Sequence, residues 1–305
     1  MHPDWPLLVA SWQLTMEAEG YSPATRRVYR QGVASLTAWL ESQEETSALG
    51  PADLTREHVR GWLAEVRRTR SQATARTWVP AVKHLCRWLV EEGEAEGDPT
   101  AGLRTPAAAE ARTPVLSPAE LRRLLRACEG RRFEDRRDLA IILLFVDGGF
   151  RLAELAGLEL VDVDLADRIV YVQGKGSRRS GPRHRAIPLG TRTARALDRY
   201  VRERRRHPLA GRPELWLGGR GRTMGADAID AALKRRARAA GLQGVHPHQL
   251  RHTWAAHFRQ AGGSEGDLLV LGGWRSRQQL DRYGAATREE RAAEAARRYS
   301  LGDRL

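Results

Sequence analysis

A chain of 305 residues, 41% hydrophobic and 29% charged, carries enough apolar material for two cored domains and has the make-up of an ordinary globular protein. Its formal net charge is +13, from 51 Lys and Arg against 38 Asp and Glu. The longest apolar run, Leu139 to Val146, is too short for a bilayer. The opening MHPDWPLL lacks the basic-then-apolar signature of a secretory leader, and Cys86 and Cys128 match no disulfide or ligand spacing, so a cytoplasmic protein is expected.

The charge is unevenly placed. Up to residue 113 there are 13 basic and 15 acidic residues, which leaves 38 and 23 for the rest of the chain. A basic C-terminal part of that size is the electrostatic footprint of a polyanion partner. A codon bias explains why arginine stands where lysine could, but not the excess of base over acid.

The first hundred residues read as helices alone. Ser22-Pro23 is an N-cap followed by proline at the first helical position, with Val28, Leu36, Trp39 and Leu40 on one face. Thr55 caps a helix bearing Val59, Trp62, Leu63 and Val66, and a third follows Ser71 with Trp78, Val82, Leu85, Trp88 and Leu89. Between Arg60 and Arg87 seven basic residues face one acid, Glu65, which makes a basic helical surface or simply a solvated one.

Residues 99–114, rich in Pro and Ala without hydrophobic period, read as a linker between a domain at 1–98 and another at 115–305. Ser117-Pro118-Ala119-Glu120 is a capping box that starts the second domain. A buried helix over DLAIILLFVDGG and a short one from Arg151 come next. Arg168–Gln173 and Arg183–Leu189 read as paired strands joined by the basic loop GKGSRRSGP. Helices near 191–206 and 226–240, a short strand ELWL, and a Pro-introduced helix carrying His248, Arg251 and His252 complete it. Near the C-terminus TREERAAEAARRY, 287–299, is helical with only alanines as its apolar face, so it is expected to dock on something. The whole is a mostly α fold: an all-helical first domain, then a mainly helical α+β domain with a small antiparallel sheet.

Candidate chemistry gathers in the basic domain. Cutting a phosphodiester without metal needs cations on the non-bridging oxygens, a nucleophile, and an acid for the leaving oxygen. Arg151, after a Gly-Gly-Phe turn at a helix start, and Arg251, three residues from His248 on one helix, suit the first task. Lys175 is one of three lysines and stands between Gly174 and Gly176; an ammonium can release a proton where a guanidinium cannot, though a lysine in a hairpin needs no role at all. His248 and His252 have the i, i+4 spacing of zinc ligands, but Gln249 follows the first histidine and Arg251 would repel a cation. Of six tyrosines, Tyr283 alone lies beside the Gly-Gly-Trp-Arg-Ser-Arg run, where arginines would stabilise a phenoxide.

Taken in order, these segments resemble the tyrosine recombinase (phage integrase) family, which includes the bacterial chromosome-dimer resolvases. Phe150-Arg151-Leu152-Ala153-Glu154-Leu155 is similar to its first arginine box. Gly174-Lys175-Gly176 with Arg185-Ala186-Ile187-Pro188-Leu189 is similar to its hairpin lysine motif, and His248-Gln249-Leu250-Arg251-His252-Thr253 to its His-x-x-Arg box. Leu271-Gly272-Gly273-Trp274 precedes Tyr283 by the family's spacing. Trp274 stands where a histidine is commoner, and the stretch SRRSGPRH makes the hairpin longer than usual.

The resemblance implies a core-binding, SAM-like first domain and a catalytic second one, with neither metal nor ATP as cofactor. It implies that Tyr283 attacks the scissile phosphate to give a 3′-phosphotyrosyl link, with Arg151, Arg251 and Trp274 on the non-bridging oxygens, Lys175 as acid and His248 assisting. Glu154 would orient an arginine or histidine. The partners implied are double-stranded DNA with a specific recombination site, a homo-tetramer joined by the 287–299 helix, and accessory recombination factors, with no membrane. Three other readings use the same residues: a DNA-binding protein of this fold that no longer reacts, a monomeric type IB topoisomerase, and a metal hydrolase. Base contacts are expected from 60–87 and from the helices at 235–260. On charge alone, binding to duplex DNA should weaken roughly 1000-fold between about 50 and about 200 mM salt if some six phosphates are neutralised, which a titration at the two ionic strengths measures.

Overall fold

The computed structural model of the chain describes residues 2–105, 113–177, 181–219 and 221–274, with backbone alone at 174–177 and 181–184. The chain forms two compact units, Met1–Ala111 and Arg112–Leu305. Among the described residues no helix is long and apolar enough to cross a membrane.

Among the described residues the first unit holds four α-helices, α1 (Asp4–Ala18), α2 (Pro23–Glu41), α3 (Arg56–Thr69) and α4 (Gln72–Glu91). The expected caps Ser22 and Thr55 are present and Ser71 caps the third helix, each hydroxyl accepting from the N–H of the third residue of α2, α3 and α4. Helix α1 is not signalled by a clean period, because Pro6 sits in its first turn and its buried face is only Trp5, Trp12 and Met16. The core is rich in tryptophan, and each buried indole N–H finds an acceptor: Trp12 on His84 Nδ1 (2.8 Å), Trp62 on Ser35 Oγ (3.2 Å), Trp88 on Thr15 Oγ1 (3.1 Å). Gly32 lets α2 close on α4, since a Cβ there would lie 3.1 Å from that of Ala81. Of the seven cations from Arg60 to Arg87, six are exposed, while Lys83 donates to the Leu103 carbonyl at 2.9 Å.

The second unit runs α5 (Pro118–Arg126), α6 (Phe133–Gly148), α7 (Leu152–Ala156), β1 (Val163–Asp164), β2 (Ile169–Ser177), β3 (Gly181–Pro188), α8 (Thr191–Arg204), α9 (Ala226–Ala239), α10 (Pro247–Gln260) and α11 (Glu265–Gly272). The strands form one antiparallel sheet in the order β1-β2-β3. Helix α6 is buried from Ala140 to Phe145, and α8, α9 and the sheet pack on the same core. Each such side chain removed from water contributes about 1.5–3 kcal/mol. Helices α6 and α9 are also tied by charge: Asp138 accepts from Arg137, Arg235 and Arg236, and Arg236 reaches Asp135. Cys86 and Cys128 are buried one in each unit, and burial pushes both thiols up to about 12.

Two local expectations are corrected. The segment Glu214–Leu217 is not a strand but makes two isolated bridges, Glu159 to Glu214 and Leu217 to Thr223. Its carbonyls are claimed from another side, by the buried Arg204 at Glu214 and Leu215 and by the Tyr200 hydroxyl at Leu215. The basic loop is also shorter than 174–182, because the strands continue to pair as far as Ser177 and Gly181, with an irregularity between Gly174 and Ser177. The helix expected at 287–299 lies outside the described residues.

Helix α6 closes on Gly149 in the left-handed region (φ 57°), whose N–H donates to Phe145 O. A Cβ on Gly149 would lie 2.0 Å from Cε3 of Trp254. Gly149→Ala should therefore cost about 3 kcal/mol, from the backbone conformation and overpacking together, read as a lowered urea midpoint.

Candidate active site

Arg151 is the N-cap of α7, and Glu154 closes a capping box on it: Oε2 accepts from the Arg151 backbone N–H at 2.8 Å. The helix start expected to favour an anion thus already holds a carboxylate of its own. Glu154 Oε1 accepts from Arg151 Nη1 at 2.6 Å, so the same residue orients the guanidinium. From β3, Arg185 donates to both oxygens of Glu154, at 2.9 and 2.7 Å. Glu154 is 6% exposed; burial alone would raise its pKa, but hydrogen bonds and charge from Arg185, then Arg151, outweigh that and hold it at about 2.

Helix α10 begins at Pro247 after His246, whose ring accepts from Gln249 N. Arg251, one turn in, is 2% exposed. Its Nη1 donates to Gly149 O at 2.6 Å and its Nη2 to Gly272 O at 2.5 Å. Both acceptors are neutral, so these bonds orient the guanidinium without cancelling its charge. Arg151 Nη2 takes the next carbonyl along, Gly273 O, at 2.9 Å. Arginines 100 residues apart in the sequence therefore hang on consecutive carbonyls of one turn.

That turn is the C-terminus of α11, with Gly273 left-handed at φ 63°. Trp274 follows, buried, its backbone N–H on Leu269 O, its ring stacked on Trp254 at 5.9 Å and lying under the Arg251 guanidinium at 4.2 Å. Trp274 was expected to act through its indole N–H; in this structure its face supports Arg251.

His248 stands beside Arg251, exposed as a residue although its imidazole is partly covered. Burial first, then the charges of Arg251, His246 and Arg151, lower its pKa, so it is uncharged at neutral pH. Its Nε2 is 3.1 Å from Nε2 of His252, and the rings meet edge to face. One of the two rings must carry the shared hydrogen, which fixes complementary tautomers. His252 is held lower still, at about 4, by burial and then His248, Arg251 and His246. Among the described residues no three His, Cys, Asp or Glu side chains group to hold a metal ion.

Arg151, His248, Arg251 and Trp274 thus come together. Lys175 lies on β2, described by backbone alone, and Tyr283 lies outside the described residues. The arrangement offers an anion two fixed guanidiniums and a neutral imidazole. Arg236, within the helices from which base contacts were expected, is instead committed to Asp135 and Asp138. Arg185 was missed as a site residue. The signal was available: it shares a strand face with the buried Ile187, and an arginine buried there requires an acid.

Comparisons with known proteins agree with this architecture. The model of the phage integrase family matches residues 114–290, and that of the phage integrase N-terminal SAM-like domain matches 10–93. A tyrosine recombinase XerC of Stutzerimonas stutzeri is 32% identical, covering 83% of this chain and 82% of its own. A tyrosine recombinase XerD of Pseudomonas putida is 30% identical, covering 88% and 87%. Among solved structures, XerH site-specific recombinase bound to palindromic difH substrate superposes with TM-score 0.72 at 18% identity, over 89% of this chain and 79% of that one. A lambda integrase dimer bound to a COC′ core site gives 0.70 at 18%, over 90% and 93%; at these identities both show the shared fold.

His252, which is buried, and His248, whose ring is only partly covered, are uncharged when folded and take up protons on unfolding. With folded values below the ordinary 6.5, stability falls as pH drops from about 6.5 towards about 4. Glu154 adds to this lower down: its stabilisation is present above about pH 4.5 and is lost as pH falls towards 2. His252→Gln should flatten the loss between about pH 7 and about pH 4.5, measured as the change in urea midpoint across that range.

Proposed function

The chain belongs to the phage integrase family and is a tyrosine-type site-specific DNA recombinase, and from that premise we propose how its residues divide the chemistry. Tyr283 attacks the scissile phosphorus in line with the 5′-oxygen. The P–O5′ bond breaks, a 3′-phosphotyrosyl ester forms, and Lys175 gives its proton to the leaving oxygen. Arg151 and Arg251 bind the non-bridging oxygens, where charge accumulates in the transition state. Trp274 backs Arg251 and lends its indole N–H once DNA is bound. His248, neutral at the working pH, can accept the phenolic proton or hold the phosphate. In the reverse step a 5′-hydroxyl from the partner strand attacks the ester and frees Tyr283. The bond energy stays in the ester throughout, so neither ATP nor a metal is required.

The observation that carries this reading is the pair of arginines on consecutive carbonyls, Arg251 on Gly272 and Arg151 on Gly273. Two cations from separate segments, fixed by neutral acceptors on one turn, suit a single tetrahedral anion. In the first unit the exposed Arg60, Arg67, Arg70, Arg76 and Arg87 supply a cationic surface for duplex DNA. The working form is a homo-tetramer on two DNA sites, with the 287–299 helix docked on a neighbouring protomer and accessory factors acting on that assembly. It works in the cytoplasm, on the chromosome. The two domains are 1–98 and 115–305, joined at 99–114.

The test is covalent capture. The chain is mixed with short duplexes cut from the DNA that flanks its gene, each nicked next to the cleavage position so that the released end diffuses away. A protein–DNA adduct should form, persist in excess EDTA, and vanish in Tyr283→Phe while binding to the same duplex is retained. An adduct that survives Tyr283→Phe, or one that EDTA abolishes, would contradict this division of labour.

A further inference from the structure

Outside the residues already given roles, Arg185 is the cation most closely built into the site. It stands on β3 opposite Val172 of β2, three residues before Lys175. Its side chain is 9% exposed, although arginine is ordinarily a surface residue. Both oxygens of Glu154 accept from it, and a Cβ on Gly273 would lie 2.9 Å from Arg185 Nη1 and 3.4 Å from Arg151 Nη1. Arg185 and Arg151 thus flank the same turn and share one carboxylate.

Sharing decides how Arg151 behaves. A carboxylate facing a single guanidinium takes it as a parallel fork, two donors to two oxygens, and cancels its charge. Here that fork belongs to Arg185, and Arg151 reaches Glu154 through Nη1 alone while Nη2 lies on Gly273 O. Two cations and one anion sum to +1, and the excess sits at Arg151, which is 42% exposed. Burying Arg185 merely to hold β3 against α7 is a costly use of a guanidinium, since an apolar pair of the same volume does that as well.

We propose that Arg185 is a positioning residue of the recombinase: it occupies Glu154 so that Arg151 presents its guanidinium to the scissile phosphate with its charge undiminished. This deepens the reading above and rests on it. Removing Arg185 leaves Glu154 to chelate Arg151 bidentately, turning the guanidinium away from the phosphate. The defect is then a loss of positive charge at the non-bridging oxygens, and a merely structural defect would not depend on the charge of the substrate.

Cleavage is measured as the rate of adduct formation on a nicked duplex obtained by covalent capture, for the parent chain, Arg185→Ala, Arg185→Lys and, as reference, Arg151→Ala. Three scissile groups are compared: the natural phosphodiester, a methylphosphonate whose non-bridging oxygen is replaced by a methyl group, and a 5′-bridging phosphorothiolate whose leaving sulfur needs no acid. Arg185→Ala should bind the duplex as the parent does and cleave the phosphodiester about 100-fold more slowly, with the gap closing to within about threefold on the uncharged methylphosphonate, as for Arg151→Ala. Arg185→Lys keeps a charge but not the fork, and should show the same pattern at smaller amplitude; it decides the matter should the alanine variant fail to fold. Three results overturn the role given to Arg185: parent-like cleavage of the phosphodiester, an equal deficit on all three substrates, or rescue by the phosphorothiolate in place of the methylphosphonate. In each of these the parent still forms its Tyr283-dependent adduct, whereas an adduct indifferent to Tyr283→Phe overturns the underlying reading and the inference with it.

Discussion

Two like charges meet at one glycine turn, and most of what is distinctive in the second unit serves to keep them there. Bringing Arg151 and Arg251 onto consecutive carbonyls is unfavourable by Coulomb repulsion. The carbonyl dipoles of Gly149, Gly272 and Gly273, the Glu154 carboxylate and the face of Trp274 offset it. Each acceptor depends on a helix ending in a particular way. Helix α6 ends on left-handed Gly149, and α11 on left-handed Gly273. Glycine suits both positions by conformation, and at Gly149 it is required for room as well, because a side chain there would collide with the Trp254 ring.

The same clustering explains the protonation states. In a pocket already lined by guanidiniums, a histidine whose ring is also shielded from water stays neutral, and His248 and His252 both do. A carboxylate in that field moves the other way, and Glu154 remains ionised far into acid. The site therefore keeps fixed cations, one shared anion and neutral imidazoles over the whole physiological range. Such a pattern favours a phosphate that gains charge in its transition state over a metal ion, which the arginines would repel.

Much of this was legible in the sequence where a local rule governs a local outcome. Ser22, Thr55 and Ser117 cap helices because a short hydroxyl before a helical period has few other uses. The order of the motifs singles out Arg151, His248, Arg251 and Trp274, and the fold brings these four side chains together. Missing were the effects that depend on what lies across the fold. Glu214–Leu217 carries a strand's composition, yet Arg204 and Tyr200 take its carbonyls. Trp274 has the chemistry of a donor, and only the approach of α10 reveals that it also carries a cation on its face. Arg185 is one arginine among many until Ile187, two residues on, shows which way it points.

The account stands or falls on whether the arginine pair and the Tyr283 phenol serve one phosphorus. A crystal structure of the chain on its duplex, with the scissile phosphate replaced by vanadate, addresses that directly. It should show a trigonal-bipyramidal vanadate bonded to the Tyr283 oxygen, of the same or a neighbouring protomer, with Arg151 and Arg251 both within hydrogen-bond distance of its equatorial oxygens. A vanadate held by Tyr283 while either arginine stays engaged only with the glycine carbonyls and away from the DNA would contradict it.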